Sequence, residues 1–314
     1  MNPKGSDQGG GKTAEWVTHR ERGSLWLLRI MAFLSLRCGR RASRVILYGI
    51  ALYFFLFAPG ARRHSLHYLR LALGRAPRPR DRFLQILRFA TTIHDRVYLI
   101  NGRFDKFDIS VEGEDMVLAH TPKGRGALLM GAHMGSFEVM HSLSRRQQGL
   151  RVAMAMYEEN ARKIGGILAA INPNWIPDIV ALGQIDAMLN IAERLDQGAY
   201  VGVLADRTLG EEPAQAVQFL GQPAYVPTGP MRAAAILRCP VFFMVGLYRG
   251  GNRYHVAFER VADFSATGVG SRELAVRAAI DRYAAVLENY CRSDPYNWFN
   301  FFDFWRPPPQ KKGA

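Results

Sequence analysis

The sequence predicts an α/β protein with a mainly helical, basic amino-terminal portion, and three observations support this. After about residue 107, short apolar runs bounded by glycine alternate with stretches of helical spacing, the texture of an α/β domain. Before that point, 20 Lys and Arg stand against 7 Asp and Glu in residues 1–110, and the rest of the chain has 21 against 20. The chain has 314 residues, 48% of them hydrophobic, and can bury a large core.

These observations divide the chain into four predicted segments. Residues 1–15 are glycine-rich and predicted to be flexible, and residues 16–107 form the basic helical portion. Residues 108–306 form the α/β core, and the proline- and lysine-containing residues 307–314 form a flexible, extended tail. Within the basic portion, helical spacing predicts helices over Arg62–Leu73 and Arg82–Leu99.

Two apolar stretches in the basic portion suggest contact with a membrane. Leu25–Leu36 is interrupted by Arg29, whereas Val45–Ala58 runs for fourteen residues without a charge between basic flanks. A spanning helix needs roughly 20 apolar residues, so these lengths favour an interfacial, re-entrant or buried position. We predict a membrane-contacting helical pair whose arginines reach anionic lipid headgroups; the alternative is that both are core helices. Such long apolar runs disfavour a nucleic-acid-binding surface.

The cysteines and the amino terminus suggest where the protein resides. Cys38, Cys239 and Cys291 are odd in number and widely spaced, which argues against a disulfide framework or a thiolate metal site. No secretory signal pattern is visible. We therefore predict a protein on the cytoplasmic face of a membrane, monotopic or held by a short amino-terminal helix.

The α/β portion is predicted from its apolar runs and helical stretches. The predicted strands are Asp108–Glu112, Ala127–Ala132, Val152–Tyr157, Ile179–Leu182, Tyr200–Ala205, Val241–Tyr248 and Arg253–Phe258. The predicted helices are Ala161–Ile171, Asp186–Leu195, Met231–Leu237 and Arg272–Tyr290.

The best indication of chemistry is the string from His133 to Glu138, which directly follows a predicted buried strand. If Ser136 caps a helix beginning at Phe137, Glu138 lies in the first turn and its side chain folds back toward His133. An imidazole accepts a proton near neutral pH, and a carboxylate on its other nitrogen fixes the tautomer. His-x4-Glu is a weak pattern by itself, and an ordinary structural histidine is the plainer interpretation.

Several stretches together resemble a known family. Ala127–Glu138 resembles the first signature of the lysophospholipid acyltransferase superfamily, in particular the bacterial late acyltransferases that complete lipid A. Tyr200–Arg207, Phe219–Pro230 and Cys239–Val241 resemble later segments of that branch, in the same order. The resemblance extends over roughly residues 20–305.

The resemblance implies a glycerolipid acyltransferase-like fold, a mixed central sheet flanked by helices. It implies that His133 is the general base and Glu138 its partner, with a fatty acyl thioester of acyl carrier protein or coenzyme A as donor. The acceptor would be a hydroxyl or amine of a lipid or glycolipid, and neither a metal nor a redox cofactor is expected. The expected substrate-contacting residues are Ser136, Arg162, Asp206, Arg207 and Gly221.

The sequence departs from this branch in two places. Tyr157–Asn160 replaces a segment in which the branch carries an arginine, with Arg162 slightly displaced, and Asp206-Arg207-Thr208 replaces Asp-Gln-Asp. The acceptor therefore stays open between lipid A and another lipid, such as an aryl polyene or an amino-acid lipid. A non-catalytic lipid-binding protein is a further alternative; a triad hydrolase is disfavoured because the chain has no Gly-x-Ser-x-Gly elbow. An ordinary salt bridge in a turn would also explain Asp206 and Arg207.

The segment Tyr296–Trp305 holds seven aromatic residues in ten. Core packing is the expected role of these rings. They are also suited to form the wall of an acyl groove or to lie at a membrane interface.

Overall fold

The protein is described by a computed structural model that covers residues 25–140, 151–184, 186–207 and 212–307, with residues 25–31, 163 and 269 described by their backbone alone. The predictions for residues 1–15 and for the tail after residue 307 lie outside the described residues. The helices are α1 (Leu25–Phe57), α2 (Pro59–Leu73), α3 (Pro79–Ile100), α4 (Glu114–His120), α5 (Glu158–Ile171), α6 (Ala187–Asp196), α7 (Gly229–Leu237) and α8 (Arg272–Ser293). The strands are β1 (Asp108–Glu112), β2 (Leu128–Gly131), β3 (Val152–Tyr157), β4 (Ile179–Leu182), β5 (Tyr200–Leu204), β6 (Ala214–Phe219), β7 (Gln222–Pro227), β8 (Pro240–Tyr248) and β9 (Arg253–Asp263).

Seven strands form a central sheet in the order β1-β9-β8-β2-β5-β3-β4. The β8–β9 pair is antiparallel and the other pairs are parallel, so the predicted mixed sheet is confirmed. Strand β2 lies near the middle, between β8 and β5, and all four of its residues are buried. Its apolar sequence fits a strand that is covered on both faces.

Helices cover both faces of this sheet. Buried residues of α2, α6, α7 and α8 pack in one cluster on one face, and buried residues of α1, α3, α4 and α5 pack in a second cluster on the other. The basic amino-terminal helices are thus divided between the two faces, and α1 and α3 pack against each other.

The two apolar stretches near the amino terminus lie in two helical segments of α1, one on each side of Gly39, in agreement with the predicted helical pair. The segments are divided at Gly39, where φ is 81° and ψ is 161° and the backbone is not helical. A glycine permits this conformation because it lacks a Cβ. Among the described residues, no single helix is long and apolar enough to cross a membrane; Ala32–Phe57 and Pro59–Leu73, bent by 93°, meet that test only as a pair.

A hairpin and one short helix were not predicted. Strands β6 and β7 form a two-stranded antiparallel sheet joined at Leu220 and Gly221, whose φ values are 52° and 81°. The prolines of this stretch obscure its strand pattern, since proline within a run argues against a strand. Helix α4 has only seven residues, too few for helical periodicity to identify.

Strand β9 and helix α5 are both longer than predicted. Strand β9 continues to Asp263 because it pairs along its length with β8, a long-range contact that local sequence does not encode. Helix α5 begins at Glu158, whose carboxylate is favourable in a first helical turn.

Candidate active site

The parallel pairing of β2 with β5 brings two of the predicted site residues together. Gly131 lies opposite Leu204 in the register, and His133 and Asp206 each follow two residues later. The carboxyl ends of parallel strands meet at the same sheet edge, where sites commonly form. The His133 ring nitrogen Nδ1 lies 2.8 Å from Asp206 Oδ1, and the His133 backbone N–H donates to Asp206 Oδ2 at 3.0 Å.

Asp206 is fully buried and accepts a third hydrogen bond. The indole Nε1 of Trp298 donates to its Oδ2 at 3.0 Å, and the Asp206 side chain is 0% exposed. Burial by itself raises the pKa of this carboxyl, but the charge and hydrogen bonds of His133 outweigh it and hold the pKa below its usual range. Asp206 is therefore ionised and accepts the proton of His133 Nδ1, which leaves Nε2 with the free lone pair.

The His133 imidazole is accessible and neutral near pH 7. Its side chain is 33% exposed. Burial of the ring, followed by the positive charge of Arg207, lowers the pKa of His133 below its ordinary value of 6.5, although Asp206 acts in the opposite direction. A neutral, partly exposed imidazole whose Nδ1 is bound to a carboxylate is suited to accept a proton from a substrate at Nε2.

The loop that carries His133 is held by its backbone. Gly135 N–H donates to Asn297 O at 2.9 Å, Ser136 N–H to Gly246 O at 2.8 Å, and Phe299 N–H to His133 O at 2.8 Å. Gly135 has a φ of 68°, and a Cβ at this position would lie 1.9 Å from Gly246 O. The close approach of this loop to β8 therefore requires glycine at position 135.

The predicted contact between Glu138 and His133 is not the one found. Arg96 Nε lies 2.6 Å from Glu138 Oε1, and Ser136 Oγ donates to Glu138 Oε2 at 2.9 Å, while Asp206 occupies His133 Nδ1. Ser136 does not cap a helix at Phe137, since a 3₁₀ turn of Glu138–Met140 follows instead. The expected fold-back of Glu138 fails because an arginine from α3, distant in sequence, binds the carboxylate.

Arg207 places a positive charge beside this pair. Its guanidinium carbon lies 4.8 Å from the centroid of the Phe302 ring. Its Nε is buried and has no hydrogen-bond partner among the described residues. Burial lowers the pKa of Arg207 below its ordinary value of 12.5. The alternative prediction, a salt bridge between Arg207 and Asp206, is not the arrangement found, because His133 and Trp298 take up the carboxylate.

Comparison with known proteins identifies the family. A family model described as bacterial lipid A biosynthesis acyltransferase matches residues 12–307. The chain belongs to the bacterial lipid A biosynthesis acyltransferase family. It is an acyltransferase of lipid biosynthesis, and the reaction of this family is acyl transfer to a lipid.

The solved structures to which this chain is similar include the 1-acyl-sn-glycerophosphate (LPA) acyltransferase PlsC from Thermotoga maritima. The two share 17% sequence identity, the match covers 83% of this chain and 95% of that chain, and the TM-score is 0.36. No curated protein matches the chain.

Three other residues that were predicted to contact substrate in this acyltransferase lie elsewhere. Ser136 is 3% exposed and bonded to Glu138, so it supports the loop. Arg162 is exposed on α5, and among the described residues it makes no hydrogen bond or ion pair with the His133 site. Gly221 is exposed in the β6–β7 turn, where its φ of 81° favours glycine. Substrate contact by these three residues stays a prediction.

Three aromatic rings, called here the aromatic wall, cluster around Phe89 in the acyltransferase. Phe299, whose backbone binds His133 O, has its ring 5.2 Å from that of Phe89, and Phe301 lies 5.5 Å from Phe89 between ring centroids. Phe89 belongs to α3 and is 38% exposed. Core packing, predicted for the aromatic segment, holds for Trp298, Phe299 and Phe304, which are at most 5% exposed.

Two residues of this site were missed in the sequence. Trp298 was noted only as one of seven aromatic rings, and its bond to Asp206 depends on the carboxyl-terminal segment crossing the sheet edge. Arg96 looks like any helical surface arginine, and no local pattern distinguishes it. In the described part of the chain, no group of three or more His, Cys, Asp or Glu side chains is placed to hold a metal ion.

Proposed function

We propose that the His133–Asp206 pair catalyses transfer of a fatty acyl group from a thioester to a hydroxyl or amine of a lipid. The observation that carries this proposal is the hydrogen bond between His133 Nδ1 and the buried Asp206 carboxylate, made by a histidine whose side chain is 33% exposed. The donor is acyl carrier protein or coenzyme A carrying the acyl chain as a thioester. The chain acts at the cytoplasmic face of the inner membrane.

The proposed reaction needs only proton transfer and nucleophilic addition. His133 Nε2 takes the proton of the acceptor hydroxyl or amine as its oxygen or nitrogen attacks the thioester carbonyl carbon. The carbon–sulfur bond then breaks, and the thiolate receives the proton from the imidazolium. Asp206 stabilises the imidazolium between these two steps without taking its proton.

The oxyanion of the tetrahedral intermediate needs a donor or cation. The backbone N–H groups of His133, Met134, Gly135 and Ser136 are engaged with Asp206, Ala132, Asn297 and Gly246 respectively. Arg207 follows Asp206 directly, and its charge acts on His133. We assign to the Arg207 guanidinium the stabilisation of this oxyanion or of a substrate phosphate, because a partly desolvated cation binds an anion strongly.

Replacing Arg207 with glutamine should therefore have two effects. The kcat/KM should fall by about 10²-fold, the usual size for loss of one anion-stabilising group. Because Arg207 lowers the pKa of His133, its removal raises that pKa, and the acid limb of the kcat/KM profile should move to higher pH.

The measurement is a pH–rate series with dodecanoyl coenzyme A and with dodecanoyl-N-acetylcysteamine, a thioester without phosphate. A larger loss with the coenzyme A donor assigns Arg207 to the donor phosphate, and equal losses assign it to the oxyanion or the acceptor. An unchanged rate and an unmoved acid limb contradict the assignment. Arg260→Gln, at an exposed ion pair on β9, is the matched control.

The surface of α1 supports the proposed membrane position. Its exposed large apolar side chains are Phe33, Leu34, Leu36, Val45, Ile46, Tyr48, Leu52, Tyr53, Phe54, Leu56 and Phe57. This many exposed apolar side chains, on both sides of the Gly39 bend, is typical of an interaction face. Arg37, Arg41 and Arg63 are exposed within and beside it and suit an anionic leaflet. Since α1 packs on α3, this face and the aromatic wall at Phe89 belong to neighbouring helices.

A triple variant tests the membrane face. Val45→Ser, Phe54→Ser and Phe57→Ser combined should weaken binding to phosphatidylglycerol-containing vesicles by at least about 10-fold, because each lost apolar side chain contributes roughly 1.5–3 kcal/mol when fully buried. Vesicle co-sedimentation measures this. The control combines Ile176→Ser, Leu189→Ser and Leu274→Ser, which are 89%, 73% and 74% exposed elsewhere on the surface. Equal loss of vesicle binding in both triple variants contradicts the proposal that the exposed apolar side chains of α1 bind the membrane.

The acceptor and the acyl chain are identified by mass spectrometry of lipids from cells that lack the protein. Cells complemented with the intact chain should contain a lipid with one acyl group more than cells complemented with the His133→Ala variant. The mass difference gives the chain length, and the lipid class gives the acceptor, whether lipid A, an aryl polyene or an amino-acid lipid. Identical lipid profiles from the two cultures, with equal protein levels, overturn the proposed function.

A further inference from the structure

Helix α3 carries two adjacent charged residues that contact different parts of the protein. The Arg40 guanidinium of α1 donates to both carboxylate oxygens of Asp95, at 2.7 Å and 2.6 Å. The Tyr254 hydroxyl of β9 donates to Asp95 Oδ2 at 2.8 Å. Arg96, the next residue, lies 2.6 Å from Glu138. Helix α3 thus connects the membrane-facing helix and the sheet to the loop that carries His133.

Both oxygens of the Glu138 carboxylate are engaged. Oε1 faces Arg96, and Oε2 accepts from Ser136 Oγ. The residue is 9% exposed, so its charge is largely removed from water. A buried carboxylate is stable only when cations or donors surround it, and Arg96 is the cation.

The helix that presents Arg96 is firmly fixed at this point. Asp95 is 0% exposed, and the charge-assisted bonds that it receives are among the stronger side-chain interactions. Burial by itself raises the pKa of Asp95, but the nearby His94 ring, 3.6 Å away, and the hydrogen bonds from Arg40 outweigh it and hold the pKa below its ordinary value. The Arg96 guanidinium therefore projects from a fixed base toward the loop.

We propose that Arg96 is a positioning residue for the acyl transfer: by holding Glu138, it fixes the Ser136–Glu138 end of the loop and with it the direction of the His133 imidazole. The backbone bonds to Gly246 and Asn297 hold the middle of the loop, and Arg96 holds its far end. This inference rests on the proposed function of His133. Glu138, the glutamate of the His-x4-Glu string, then acts by binding Arg96. Asp206 is the carboxylate that binds His133.

Removing the guanidinium takes away the ion pair that Glu138 makes with Arg96, and among the described residues the Ser136 hydroxyl is then its remaining side-chain partner. The carboxylate can then turn away from its present position, and the loop moves with it. A displacement of about 1 Å in a reacting group costs on the order of 10²-fold in rate. Arg96→Gln should therefore lower kcat by about 10- to 100-fold with little change in KM.

The test compares Arg96→Gln, Glu138→Gln, the double variant and Arg96→Lys. Thiol release from dodecanoyl coenzyme A in vesicles of bacterial lipid extract gives kcat and KM. The two single variants should lose similar activity, and the double variant should lose no more than either one, because both remove the same interaction. Arg96→Lys should recover part of kcat, since the lysine keeps the charge without the fork geometry.

A second readout needs no substrate. The rate of His133 modification by diethyl pyrocarbonate, and the hydrogen exchange of the backbone amides in residues 133–140, should both rise in Arg96→Gln. The control is Arg194→Gln, which removes an exposed ion pair with Asp178 at 2.9 Å on α6 and should change neither quantity.

Two outcomes overturn the inference. One is intact kcat in Arg96→Gln with unchanged hydrogen exchange; the other is losses that multiply in the double variant. Neither affects the proposed function, which fails instead if His133→Ala keeps its activity in the same assay. A positioning role is also contradicted if kcat falls in all four variants in proportion to their melting temperatures and Arg96→Lys recovers none of it.

Discussion

Replacing His133 with alanine is expected to abolish acyl transfer while the fold is retained. The side chain is only 33% exposed and binds the buried Asp206 carboxylate, so its removal should lower the melting temperature by several degrees without unfolding the protein. A positioned general base contributes about 10² to 10⁴ in rate, and kcat/KM should fall by that factor.

The measurement is transfer of a radiolabelled dodecanoyl group from acyl carrier protein or coenzyme A into bacterial lipid extract. His255→Ala is the matched control, because this histidine is also partly exposed, at 22%, and also lies beside a carboxylate, Glu112. Full activity in the His133 variant would mean that the fold binds lipid without using this histidine as a base.

Replacing Asp206 with asparagine is expected to damage both catalysis and stability. Three N–H groups, from His133 backbone, His133 Nδ1 and Trp298, point at the two carboxylate oxygens. An amide offers one oxygen and turns an NH₂ group toward one of these donors, which leaves about 1–3 kcal/mol of unsatisfied polar burial. The imidazolium also loses its stabilising charge, so kcat should fall by about 10²-fold or more.

The pH dependence of stability should change as well. The pKa of Asp206 is lower in the folded protein than its ordinary value of 3.8, so its stabilisation is complete above that value and is lost as the pH falls further. Asp206→Asn should have a lower melting temperature at neutral pH. Its melting temperature should also fall less than that of the intact protein as the pH is lowered. Asp294→Asn, which removes another buried carboxylate, one paired with the exposed Arg249, is the comparison. Wild-type kinetics in Asp206→Asn would contradict the role of Asp206.

Most of the fold could be predicted because its strands are local apolar runs. Strands β1, β3 and β4 have the predicted limits, and β2 differs by one residue at each end. The hairpin of β6 and β7 and the extension of β9 depend on pairing with distant strands, which periodicity does not encode.

The sequence identified individual residues of the candidate site but not which two of them form a pair. His133 and Asp206 were both singled out from the sequence, but the histidine was paired with the nearby Glu138. The actual partner is 73 residues away and is brought close by the parallel β2–β5 register. The same is true of Arg96, which reaches Glu138 across the packing of α3 against the sheet and has no sequence signature of its own.

In the proposed reaction Asp206, and not Glu138, sets the protonation of the His133 imidazole. The acid limb of kcat/KM against pH reports the pKa of the base in the free enzyme and therefore distinguishes the two carboxylates. In the intact protein the limb should lie below pH 6.5. Because Asp206 raises the pKa of His133, the limb should move to lower pH in Asp206→Asn and stay in place in Glu138→Gln. A limb that moves in Glu138→Gln and stays in Asp206→Asn would contradict the account.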